Sequence, residues 1–154
     1  MTTLDDVYRK FGEVSEAAQL LETELGTILI EASAIEAGLI KSPDPEKATE
    51  IYKKIDRNTL GQLIKKLGKK TEDIGCVEEL LNMALATRNR LAHSFYMQHN
   101  LRRNSVDGRK VMIDDLEGMH DQLLDAYKAL MLTQGIDLEK LAVEQKDGDP
   151  SEGD

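Results

Sequence analysis

The sequence contains no tryptophan, a single cysteine and three prolines, and aromatic residues make up only 4% of it. One thiol, Cys76, can close no intramolecular disulfide and lacks the paired cysteines of a structural zinc site, which points to a reducing compartment. No apolar run approaches the roughly 20 residues a membrane span requires. The amino terminus, Met1-Thr-Thr-Leu-Asp-Asp, is acidic where a secretory signal would be basic. These absences predict a cytoplasmic protein without membrane contact. Gly61 and Gly68 are isolated and no G-x-x-x-x-G-K pattern occurs, so the phosphate cradle of a kinase or nucleoside triphosphatase is disfavoured. No internal repeat is evident.

What is present is material for one domain. The 154 residues are 40% hydrophobic and 32% charged, enough for a single core. With 29 acidic and 20 basic side chains the formal charge is −9, which opposes the uniform attraction of a generally basic nucleic-acid binder. Any nucleic-acid contact must be local.

Val7, Phe11, Val14, Ala18, Leu21, Leu25, Ile28, Ala32, Ile35 and Leu39 recur in alternating steps of four and three, the period of one long amphipathic helix. Thr3 and Asp6 form a capping box at its start, and Gly38 with Ser42-Pro43 marks its end. A seam this long also suits a coiled coil, but further apolar stripes in the chain favour a bundle. Asp44-Pro45-Glu46 reads as a cap, a first-position proline and an early acid, opening a helix to about Ile55. Thr59 and Gln62 cap a short helix ending near Gly68, and another begins near Gly75 with Val77, Leu81, Ala84, Leu91 and Phe95 in its stripe. Between Asn100 and Met112 the period fails, and Asp107-Gly108 reads as a hairpin tip or mobile loop. Asp114 and Glu117 are expected to cap the last major helix, with Leu116, Met119, Leu123, Ala126 and Leu130 on its apolar face and its end before Gly135. Residues 137–145 offer a short terminal helix. The expected architecture is an all-α bundle of four or five helices over residues 1–145, with a disordered acidic tail at 146–154.

Chemistry concentrates in Arg88-Asn89-Arg90-Leu91-Ala92-His93-Ser94-Phe95-Tyr96, where Arg88 interrupts an apolar stripe. A guanidinium there needs an anionic partner, because it is expensive to bury unpaired and does not deprotonate. No acid lies one turn before it, so the partner comes from another helix, another subunit or a ligand. Asn89 and His93 share a helix face, whereas Arg88 and His93 are separated by roughly 140° around an ideal helix. Convergence on one ligand therefore requires a bend or two protomers. From Arg88 to Lys110 six basic residues face one acid, a local +5, while residues 1 to 40 hold eight acids and two bases. Structural alternatives stand beside this reading: Arg88 bridging Glu24 or Glu31, and His93 as a satisfied interior histidine. His120 with Asp114, Asp115 and Asp121 has the spacing of a solvated, capped helix face more than of a metal site. Lys65-Lys66 and Lys69-Lys70 read as a solvated basic face.

Arg88-Asn89-x-x-x-His93, in a small all-helical chain, resembles the R-x(4–6)-H motif of the HEPN family (higher eukaryotes and prokaryotes nucleotide-binding domains). The likeness of fold covers most of residues 4–135, and the motif itself spans six residues. It implies a bundle that dimerises through the motif helix with the two motifs facing each other. In many members it implies a metal-independent endoribonuclease, often the toxin of a toxin–antitoxin or phage-defence system held by a cognate antitoxin or regulator. Other members are non-catalytic interaction modules. Under the enzymatic reading His93 acts as general acid/base, Arg88 stabilises charge at phosphorus, and Asn89, which shares a face with His93, orients it or the phosphate. Arg90, Tyr96, Arg102 and Arg103 then bind RNA along segment 88–110, with no cofactor or metal. Some family toxins carry a modifiable tyrosine two residues after the histidine; here that residue is Phe95, and Tyr96 follows it.

Overall fold

The computed structural model describes residues 1–70, 75–135 and Leu138. Among these, regular structure is entirely helical: α1 (Leu4–Glu36), α2 (Pro45–Asp56), α3 (Leu60–Lys70), α4 (Gly75–His93), α5 (Phe95–Gln98), a 3-10 turn η1 (Arg102–Asn104) and α6 (Val106–Thr133). No described helix is long and apolar enough to cross a membrane.

Local chemistry sets most boundaries. At the start of α1 the Thr3 hydroxyl accepts from the Asp6 amide, and the Asp6 carboxylate accepts from the Thr3 amide. At its end Gly38 takes φ +74°, Gly38 N–H donates to Ile35 and Leu39 N–H to Ala34. That pairing is a Schellman closure, which satisfies otherwise orphaned carbonyls at the cost of a left-handed residue, here a glycine. Asp44 caps α2 through the Lys47 amide, with Pro45 at the first helical position. Thr59 and Gln62 cap α3 reciprocally.

Helix α6 lies against both α1 and α4, α3 packs on α1 and α4, α2 lies on α1, and η1 seats on α6. Arg109 Nε donates to the Thr2 carbonyl and Lys10 Nζ to His120 Nδ1, so α1 and α6 run in the same direction. Residues 37–105 form the crossover that a parallel pair requires. The core is the stripe Val7, Val14, Leu21 and Leu25 of α1 meeting Leu81 and Ala84 of α4 and Met112, Leu116, Met119 and Leu123 of α6, all essentially inaccessible to solvent. The seam of α1 is thus spent within the chain, which favours a bundle over a coiled coil. Its burial stops at Leu29, and Ile35 is exposed.

Two sequence-based expectations are corrected. Residues 100–112 form neither hairpin tip nor loop: after η1, Ser105 caps α6 by accepting the Gly108 amide, and α6 begins eight residues before Asp114. Asp114 and Glu117 lie inside the helix. Gly108 is required by close approach, since a Cβ there would lie 2.7 Å from both Arg102 Cα and Ser105 Oγ. The second correction is that the motif helix does not run through to Phe95. It ends at His93, and the single turn α5 follows Ser94. The expected terminal helix at 137–145 and the tail at 146–154 lie outside the described residues, Leu138 apart.

Candidate functional site

Arg88 engages α1 and its neighbour Asn89, whereas His93 stands exposed with no such contact. Arg88 faces α1, where its Nε donates to Glu22 Oε1 at 3.0 Å. The partner is therefore Glu22, not Glu24 or Glu31. The pair is about one-third exposed, 35% for the arginine side chain and 30% for the glutamate, so it is a solvated rather than a closed ion pair. Arg88 Nη1 donates to Asn89 Oδ1 at 3.2 Å, and Nη2 has no partner among the described residues. A guanidinium carries five donors, so this one retains N–H groups for an incoming anion. Asn89 and His93 are exposed, as the shared face predicts, and His93 has no side-chain hydrogen bond to another described residue. His93 is thus not an interior histidine.

Between α1 and α4 runs a groove of about 340 Å³ whose apolar side is Phe11, Ala18, Leu91 and Ala92 and whose polar side includes Gln19, Glu22 and Arg88. Phe11 continues this surface: its ring lies 5.1 Å from that of Tyr96, and Tyr96 meets Tyr8 edge-on at 6.4 Å. Arg103 Nη2 donates to the Tyr8 hydroxyl at 3.0 Å. Burial, then the neighbouring Tyr8, raises the Tyr96 phenol above its ordinary range, with Arg103 opposing. Tyr96 and Arg103, seven apart around the α5–η1 bend, are so brought together with Tyr8, a residue the motif did not indicate. The result is a continuous strip from Arg103 through Tyr8, Tyr96 and Phe11 to Arg88.

Of the arginines expected as RNA contacts, Arg90 is held within the fold, whereas Arg102 gives one nitrogen to it and is otherwise exposed. Arg90 grips Asp115 of α6 with both terminal nitrogens, at 2.7 and 2.6 Å, and reaches Gln98 at 3.2 Å. His99, only 5% exposed, meets Asp115 Oδ2 through Nε2 at 2.6 Å and Arg102 Nη1 through Nδ1 at 2.8 Å. Because a guanidinium only donates, Nδ1 is the acceptor and Nε2–H donates to the carboxylate. The Arg90 hydrogen bonds hold Asp115 down at about 2, against burial and with help from His99. This network joins α4, α5, η1 and α6 across the break that follows His93. Sequence spacing gives no sign of it, since Arg90 and Asp115 are 25 residues apart. The only local signal is an acidic pair, Asp114-Asp115, following a basic segment.

No group of three or more metal-ligating side chains occurs among the described residues, and His120 is engaged with Lys10. The chain matches no family model, and no curated protein and no solved structure is significantly similar to it.

Proposed function

We propose that this chain is a metal-independent endoribonuclease of the HEPN type that acts as a homodimer. The observation that carries the reading is the exposed imidazole of His93 at the end of α4, without a side-chain hydrogen bond to a described residue, five residues beyond a one-third-exposed Arg88 whose Nη2 has no partner among the described residues. Within one chain the two groups diverge around the helix. Two copies apposed along α4 bring both motifs into one cleft, which removes the divergence. The strip of Tyr8, Tyr96 and Arg103 supports single-stranded RNA as the ligand, because aromatic rings stack on unpaired bases and a guanidinium tracks the backbone.

In the mechanism, the His93 imidazole of one protomer accepts the ribose 2′-hydroxyl proton as the 2′-oxygen attacks the adjacent phosphorus. The 5′-oxygen leaves with a proton from the second, protonated imidazole. Arg88 donates to the non-bridging oxygens as charge builds there, and Asn89, hydrogen-bonded to Arg88, orients the fork. The products are a 2′,3′-cyclic phosphate and a 5′-hydroxyl: the P–O2′ bond forms as the P–O5′ bond breaks, with one proton taken from the 2′-oxygen and one given to the 5′-oxygen. An activity of this kind suits a toxin of a toxin–antitoxin or phage-defence system, restrained by a cognate protein.

A second reading rests on the Arg88–Glu22 pair. It makes Arg88 a clasp between α4 and α1 in a non-catalytic HEPN-like interaction module. The two readings part on His93→Ala. With end-labelled RNA in excess EDTA, the ribonuclease reading expects cleavage to a cyclic phosphate that falls at least about 100-fold in the variant. Circular dichroism and oligomeric mass should stay unchanged, because His93 is exposed and its side chain makes no hydrogen bond to another described residue. No cleavage by the parent protein across several single-stranded RNAs refutes the enzyme and leaves the clasp.

A further inference from the structure

Lys66 and Lys69 line a wall of a groove of about 530 Å³ that opens between the C-terminal half of α1, α2 and α3. Lys47 and Lys54 of α2 form the facing wall, and Leu29, Ile51 and Ile55 make the floor. None of these four lysines has an ion-pair partner among the described residues. Glu36, also at the rim, is already engaged within the chain. The imbalance is regional as well: residues 41–70 hold nine basic and four acidic side chains, +5 in a chain of net −9.

Unpaired cations collected around an apolar floor repel one another, and nothing in the bundle requires them there. Lys47 and Lys54 are seven residues apart, two helical turns, or roughly 10 Å along α2. A single carboxylate or phosphate headgroup reaches one end of such a wall and leaves the other. A helix with leucines at i, i+3, i+4 and i+7 and glutamates on both flanks matches floor and walls together, since lysine stems lie along apolar surface while their ammonium groups reach outward. We propose that this groove docks an acidic amphipathic helix of a partner protein. The inference is independent of the ribonuclease reading, because the groove lies on α2 and α3 and shares no lining residue with the Arg88 groove.

The test uses the full chain and a fluorescein-labelled synthetic helix of four to five turns carrying that leucine seam with glutamates on both flanks. Binding is read by anisotropy at physiological salt. We expect saturable one-to-one binding, weakened at least tenfold by Lys47→Glu/Lys54→Glu and equally by Lys66→Glu/Lys69→Glu. Ile51→Gln should weaken it to a similar degree, whereas Lys53→Glu/Lys65→Glu, at exposed lysines outside the groove, should leave it unchanged. Circular dichroism of each variant confirms the fold, and the lysine pairs carry the test if Ile51→Gln unfolds. Absence of saturable binding overturns the proposal, as does equal weakening by the Lys53/Lys65 control, which would mean unspecific charge attraction. A single-stranded RNA that displaces the peptide and is itself lost on Lys47→Glu/Lys54→Glu would reassign the groove to nucleic acid.

Discussion

Asp115→Asn tests whether the bend after the motif helix is held by the Arg90–Asp115–His99 network. The amide keeps the shape of the carboxylate but turns one acceptor into a donor, which then faces a donor of Arg90 or of His99. At 25% exposure of the Asp115 side chain and 5% of His99, water restores little of the loss. A buried imidazole N–H without a partner costs about 1–3 kcal/mol. Breaking the bidentate guanidinium pair adds to this, though less than the roughly 3–5 kcal/mol of a fully buried one. The expected destabilisation is about 2–4 kcal/mol, which lowers the urea midpoint by roughly 1–2 M for a domain of this size. A cycle with Arg90→Leu isolates the coupling. The same residue sets an acid dependence. Its folded-state value of about 2 lies below the ordinary 3.8 of an aspartate, so its contribution is fully present above about pH 4 and is lost as pH falls toward 2. The shift corresponds to about 2.4 kcal/mol before screening, and partial exposure reduces this to about 1–2 kcal/mol. The stability difference between wild type and Asp115→Asn should therefore shrink between pH 5 and pH 2. A loss below about 1 kcal/mol at pH 7, or a difference independent of pH, refutes the view that this network fixes the bend.

Three further substitutions probe η1 and α6. Gly108→Ala should destabilise by at least about 2 kcal/mol despite the better helix propensity of alanine, because its Cβ meets the backbone of Arg102. Gly118→Ala, with open space around the same α6 helix, should stabilise by up to about 1 kcal/mol, and thermal melts of the two variants read the contrast. Leu101, at φ +64° and 70% exposed, holds a left-handed conformation. Leu101→Gly should raise the urea midpoint by an amount equivalent to about 0.5–1 kcal/mol, and an unchanged or lower midpoint would show that the leucine is anchored.

The helices with capping boxes and unbroken apolar stripes were legible in the sequence, because a cap and a 3.6-residue period are properties of contiguous residues. Thr3–Asp6, Asp44–Pro45 and Thr59–Gln62 each mark a helix start that the structure realises. The start of α6 was not legible. Gly108 signals a turn when read locally, and only the backbone of Arg102 above it explains a glycine inside a helix. Likewise the sequence alone identified Arg88 as a cation in need of an anion, since its place in an apolar stripe is a matter of spacing. Choosing Glu22 over Glu24 or Glu31 depended on how α4 lies across α1. Arg90 and Arg102 looked as available as Arg103 because charge is countable along a chain, whereas pairing is not. Asp115 holds Arg90 by both terminal nitrogens, His99 takes one nitrogen of Arg102, and Tyr8 positions Arg103. Composition and periodicity thus determined that this protein is helical and where its charges collect. Which of those charges remain free for a ligand was decided by tertiary contacts between residues far apart in sequence, through distances that no spacing rule encodes.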